Sequence, residues 1–196
     1  LFGVGFFLTG THWISHSLTF DENFKFLIPI AIIGLPIFLG IFFGLANLLA
    51  GPFLKNNFTS ILLFSSSFAF MDYFRGNFFS GFPWNAWAYT WSWMPEILQP
   101  LFYLGFNSFN LLCIFIYCTP LLLVFKKKIN LILFITIGLG FFGNYIYGSS
   151  VIKKNDKNLN NLKLNSKNSI YTKIISPNFE LKYNLSNIDL GENILS

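Results

Sequence analysis

Long apolar runs broken by short polar stretches fill the first 150 residues of this 196-residue chain. Runs at about 1–18, 27–50, 61–74, 98–125 and 129–147 carry almost no charge. An α-helix needs about 20 apolar residues to cross a bilayer, so the pattern predicts about five spanning helices. Pro29 and Pro36 fall in the second run. Packed membrane helices tolerate such prolines because neighbours satisfy the freed carbonyls. From Val151 the pattern turns polar. "KKNDKNLNNLKLNSKNS" predicts a solvated linker over about 151–168, or an irregular first strand. "IYTKIISPN" is β-branched and closes on a Pro-Asn turn, which predicts a strand. In "LSNIDLGENI", Ser186 as N-cap with Asp189 three residues on predicts a helix. The expected fold is therefore an all-α polytopic membrane domain over 1–150, then the opening strand and helix of an α/β domain over 169–196.

Composition supports the membrane assignment. The chain is 54% hydrophobic and 11% charged, whereas soluble domains carry about a quarter charged residues. The net charge of +5 does not make it a nucleic-acid binder, because its cations sit at the ends of apolar runs and in the polar tail. They report topology instead. Lys55 and the triplet Lys126, Lys127 and Lys128 fall on one face of the membrane, which the positive-inside bias makes cytoplasmic. The segment between the third and fourth runs, and the tail, are then expected outside. The chain starts within an apolar run and stops within a predicted helix, so a fragment of a longer protein is expected.

Several motifs invite chemistry. Gly138–Gly143, "GLGFFG", has dinucleotide-loop spacing but lies inside a predicted span, where close helix packing is the expected use. "GIFFG" at Gly40–Gly44 has the same reading. His12 and His16 share a helix face, yet no third metal ligand is nearby, and hydrogen bonding with Trp13 and Ser15 at the interface is expected. Cys113 and Cys118 lie in one apolar run, five residues apart, and predict packing, neither a disulfide nor a metal site. Asp72 and Arg75 are different. Ionisable groups near the end of an apolar helix need partners, and i, i+3 spacing puts them on one face. They predict either an ion pair pinning the helix end or a polar anchor for a lipid head group.

Arg75 is the only arginine, and it opens the segment "RGNFFSGFPWNAWAYTWSW", which holds four of the five tryptophans. Trp84, Trp87, Tyr89, Trp91 and Trp93 suit an interfacial aromatic belt. The turn Gly81-Phe82-Pro83-Trp84 would aim one ring at a defined place.

"FMDYFRGNFFSGFPWNAWAYTWS" resembles the signature stretch of the bacterial apolipoprotein N-acyltransferases, in which an acidic residue, Phe-Arg-Gly and Gly-Phe-Pro-Trp follow in this order. "GTHWISHSL" (Gly10 to Leu18) resembles a second family segment, and "IISPN" resembles the Gln-Pro-Asn closing the first strand of the family's nitrilase-like domain. Asp72 stands where Glu is usual, Ser176 where Gln is usual, and Lys182-Tyr183 where Lys-Trp is common.

The resemblance implies an α-β-β-α nitrilase-like domain after the membrane helices and a location in the bacterial inner membrane, with that domain periplasmic. It implies transfer of an acyl chain from a phospholipid donor, through a cysteine, to the amine of a diacylglyceryl-cysteine lipoprotein acceptor. No cofactor is implied. The family's Glu-Lys-Cys triad lies downstream of Ser196, so no residue here is expected to be catalytic, including Cys113, Cys118, Glu180 and Glu192, and the fragment alone is expected to be inactive. Asp72, Arg75, Phe82, Pro83 and Trp84 are the candidate substrate-binding residues. Alternatives are another acyltransferase on the same scaffold, including one fused to a glycosyltransferase, or a non-enzymatic membrane component such as half a transporter. The last would be expected to show an internal repeat or paired charges in its spans.

Overall fold

In the computed structural model, residues 1–78, 81–125 and 127–165 are described. The strand, turn and helix expected over 169–196 lie outside them. Within them the regular structure is helical. The helices are α1 (Phe2–Thr11), α2 (Ile14–Ser17), α3 (Ile28–Ala50), α4 (Phe58–Asn77), α5 (Pro95–Leu98), α6 (Leu101–Cys118), α7 (Leu121–Val124) and α8 (Lys128–Asn165).

Among the described residues three segments are long and apolar enough to cross a membrane: Glu22–Phe53, Leu101–Val124 and Lys128–Leu162. This corrects the expected count of five. The first run yields only the ten-residue α1, because the chain turns at His12–Trp13 into the short α2. The third yields α4, which has 20 residues. Its serines, with Asp72 and Arg75, keep it below the apolarity of the other three.

Helices α1, α3, α4 and α6 pack in series, each against the next, and α8 joins through α5 and α7. Phe7, Leu39, Phe43, Ala46, Phe68 and Ile114 form the central core. Helix α1 lies close on α3 because both present glycine there. A β-carbon at Gly40 would stand 3.0 Å from the Val4 backbone nitrogen, and one at Gly3 would stand 2.9 Å from Phe43 Cβ. Close packing thus holds at Gly40 of "GIFFG" but not at Gly44, where a β-carbon would meet nothing within 4 Å. Pro36 sits buried inside α3, where its ring removes one helical hydrogen bond.

Two further expectations are corrected in α8. Gly138, Gly140 and Gly143 do not mediate close packing, since a β-carbon at each would meet nothing within 4 Å. The helix docks five residues beyond Gly143, at Gly148, where a β-carbon would overlap the Glu96 carbonyl oxygen at 1.9 Å. Asn144 Nδ2 donates to the Ile97 carbonyl beside it (3.2 Å). Nor does the helix end near Tyr147. It runs 38 residues to Asn165, over the described part of the stretch expected to be a linker. At 1.5 Å per residue that is about 57 Å, against a hydrocarbon core of about 30 Å. Asn and Lys are tolerable helix residues when exposed, and no proline or glycine interrupts 149–165.

Candidate functional site

The segment between α4 and α6 is the most heavily tied part of the molecule. Asn57 caps the start of α4, accepting from Ser60 N at 2.9 Å, and the helix delivers Asp72 and Arg75 to its far end. Arg75 is 2% exposed and Asp72 7%. Arg75 Nη2 donates to Asp72 Oδ1 at 3.1 Å. Its Nη1 donates to the carbonyls of Phe82 (2.7 Å) and Trp84 (2.8 Å). The Phe82 amide returns a bond to the Arg75 carbonyl at 3.1 Å. The guanidinium also lies 5.0 Å from the Phe7 ring centroid, a cation–π contact.

This arrangement fixes the Gly-Phe-Pro-Trp turn from both sides. Gly81 has φ +71°, and a β-carbon there would stand 2.6 Å from the Gly76 carbonyl oxygen. Only glycine fits the turn. Phe82 packs on the central core, Pro83 faces outward next to Gly76, and Asn85 takes the left-handed conformation with φ 59°. Trp84 is 55% exposed and meets Trp13 edge-on at 6.3 Å. A β-carbon at Gly10 would collide with the Asn85 side chain. The structure therefore brings together the Gly10–Leu18 segment and the Gly-Phe-Pro-Trp turn, about seventy residues apart in sequence.

Beyond Asn85 the chain does not stay at the end of the bundle. The 3₁₀ turn Trp87–Trp91 dips between the helices. Trp87 stacks on Phe6 at 5.1 Å and meets Phe68 at 6.1 Å and Tyr117 at 5.7 Å. Phe68 lies nine residues before the end of α4, about 13 Å along the axis. Trp91 stacks on Tyr117 and packs 5.0 Å from Phe141. The expected aromatic belt thus divides. Trp84, Tyr89 and Trp93 remain exposed, whereas Trp87 and Trp91 are internal wedges. Irregular backbone at that depth must be satisfied by protein, and Asn110 does this. Its Oδ1 accepts from the Ala88 amide at 2.9 Å, while its Nδ2 donates to Asp72 Oδ2 at 3.1 Å.

Asn110 was not among the residues the sequence singled out. Its signal was available: a carboxamide inside the apolar stretch "FNLLCIF" is uncommon, and polar groups in membrane helices act as glue between segments. A small polar cavity of about 190 Å³ opens beside the network, lined by Asp72, Arg75, Pro83, Asn107 and Asn110 among others. His12 takes no part. Its Nδ1 bonds the Thr9 carbonyl at 2.8 Å, and Trp13 Nε1 donates to Gly10. His16 packs against Phe20. Cys113 is buried and Cys118 half-buried, and both are free thiols.

Residues 1–118 match the sequence profile described as the apolipoprotein N-acyltransferase N-terminal domain. The chain belongs to that family. Curated apolipoprotein N-acyltransferases are among its relatives. That of Rhizobium rhizogenes is 36% identical over 124 residues, which are 63% of this chain and 23% of the relative. That of Brucella melitensis is 33% identical over 123 residues, 62% of this chain and 23% of the relative. That of Allorhizobium ampelinum is 31% identical over 150 residues, 76% of this chain and 28% of the relative. The chain spans about a quarter of the length of the curated relatives it matches. No solved structure matches it significantly. The N-acyltransferase profile covers α1 to α6 and with them every residue of the Asp72–Arg75–Asn110 network.

Proposed function

We propose that this chain is the membrane platform of an apolipoprotein N-acyltransferase, which moves an acyl chain from a phospholipid to the N-terminal amine of a diacylglyceryl-cysteine lipoprotein. In that reaction a cysteine thiolate attacks the phospholipid ester and releases the lysophospholipid. The lipoprotein amine then attacks the thioester and regenerates the thiol. Neither step falls on the described residues. Cys113 and Cys118 sit in α6, between apolar side chains.

The platform's contribution is positional. Two lipid substrates arrive laterally, so a rigid docking edge replaces a bimolecular search with a held encounter. The observation that carries this reading is the clamp of Arg75 on the Phe82 and Trp84 carbonyls, which holds an exposed Trp84 ring where the two family segments meet. Phe82 and Pro83 shape the turn, and Trp84 meets the acyl chain. In this arrangement Asp72 and Arg75 are positioning residues, because Nη1 and Nη2 of Arg75 are directed to protein acceptors, while its buried Nε has none. A head-group role for Arg75 requires a ligand that enters the adjoining polar cavity.

The orientation that fits puts Lys55, Lys127 and Lys128 in the cytoplasm and the Arg75 end outside an inner membrane. The test is acyl transfer by the full-length enzyme that carries this platform, in liposomes holding phosphatidylethanolamine and a diacylglyceryl peptide. Formation of the N-acyl peptide, lost in Trp84→Ala and kept in Trp84→Phe, supports the reading. Transfer untouched by Trp84→Ala overturns the role given to that ring.

A further inference from the structure

The end of the bundle away from Asp72 and Arg75 holds two cavities. The larger, about 480 Å³, has walls that include Phe2, Phe43, Phe64, Phe68, Trp87 and Ile114. Gly44 opens onto it, and a β-carbon there would meet nothing within 4 Å. The smaller, about 280 Å³, shares Phe64 and Cys118 with the first and is rimmed by Lys55, Asn56 and Ser60. An apolar chamber between membrane helices therefore lies beside a polar recess, the mouth, which carries a lysine, with Phe64 and Cys118 as their common wall.

Charge at that mouth has one sign. Lys55 is exposed, and among the described residues its ammonium has no ion-pair partner. Phe125 lines the same mouth, and Lys127 and Lys128 follow at the start of α8. No aspartate or glutamate occurs in 50–60 or 118–130. Ser60 is held in place by bonds with the Lys55 amide and Asn57, so the position of the lysine backbone is set. Basic pockets between membrane helices suit anionic lipid head groups, and a pocket of several hundred Å³ lined by aromatic side chains suits one apolar chain.

We propose that this end of the bundle is a site for one anionic phospholipid, with an acyl chain in the Phe-lined chamber and its phosphate at Lys55. The site is separate from the Trp84 edge and does not depend on the acyl-transfer reading. A lipid lodged there supports the wedge from below, since Trp87 forms part of the chamber wall.

Native mass spectrometry of the full chain, delipidated and then incubated with phosphatidylglycerol or with phosphatidylcholine, tests it. One retained phosphatidylglycerol per chain is expected, with phosphatidylcholine retained far less. Lys55→Gln should weaken phosphatidylglycerol retention about fivefold, the effect of one lysine near a phosphate, while Lys153→Gln should leave it unchanged. Gly44→Leu, which fills the chamber, should reduce it as well. Equal retention of the two lipids, or retention indifferent to Lys55→Gln, means boundary lipid only and overturns the proposal. A mid-chain photoreactive phosphatidylglycerol gives an independent reading on the unmutated protein. Adducts on Phe43, Phe64 or Ile114 support the site, and adducts confined to the outer face of α8 sink it.

Discussion

Arg75 holds Trp84 by its backbone: Nη1 donates to the Trp84 carbonyl at 2.8 Å, nine residues along the chain. The same nitrogen holds Phe82, and Nη2 holds Asp72. One planar cation with fixed donor directions thereby fixes a turn, a helix end and the ring between them.

Removing that cation should be costly. Arg75→Gln leaves Asp72 buried without its partner and is expected to destabilise the protein by about 3–5 kcal/mol. Arg75→Lys should recover only part, because an ammonium cannot reach all three acceptors in the same geometry. Thermal unfolding in detergent reads both, and a melting curve for Arg75→Gln equal to the parent's contradicts the clamp. Pairing Arg75→Gln with Asp72→Asn should cost less than the two changes added together, as expected for residues in direct contact.

Asn110→Leu should release the wedge. The change strips the Ala88 amide and Asp72 Oδ2 of their partner, a cost of about 1–3 kcal/mol. Hydrogen exchange at Ala88 distinguishes this from general weakening. Its amide should lose protection while amides in the middle of α3 keep theirs, and uniform loss would argue against a local role.

Two glycine substitutions should differ in sign of consequence. Gly81→Ala forces a β-carbon to 2.6 Å from the Gly76 oxygen at φ +71°, and is expected to lower the melting temperature. Gly138→Ala meets open space and gains helix propensity of up to about 1 kcal/mol, so it should be neutral or stabilising.

The polar stretch after residue 150 should behave as a rod. Spin labels at Tyr147 and Asn161 are expected about 21 Å apart with a narrow distribution, the rise of fourteen helical residues. A separation near 45 Å is the extended-strand value and would show that the helix ends where the polar pattern begins.

Hydropathy, summed over neighbouring residues, was enough to place apolar helices and to mark the chain as a membrane protein. The motif from Asp72 to Ser92 was enough to place it in its family. Those properties are local, and sequence carries local properties directly. The number of helices that could span was overestimated, because hydropathy alone does not reveal that α1 turns at His12–Trp13, and because the serines, Asp72 and Arg75 of α4, all visible in the sequence, were given too little weight. The linker expected over 151–168 was read from polarity, which describes solvent exposure and is silent on whether an exposed segment stays helical. The sequence raised the Asp72–Arg75 pair as an ion pair or a lipid anchor, and only the fold supplied the carbonyls that complete it. Carbonyls carry no side-chain identity, so no residue type at positions 82 and 84 could have announced them. For the same reason the descent of Trp87 and Trp91 into the bundle was decided by tertiary packing. An interfacial tryptophan and one wedged between helices are the same letter, and what separates them is the Asn110 amide waiting on another helix to satisfy the backbone that carries them in.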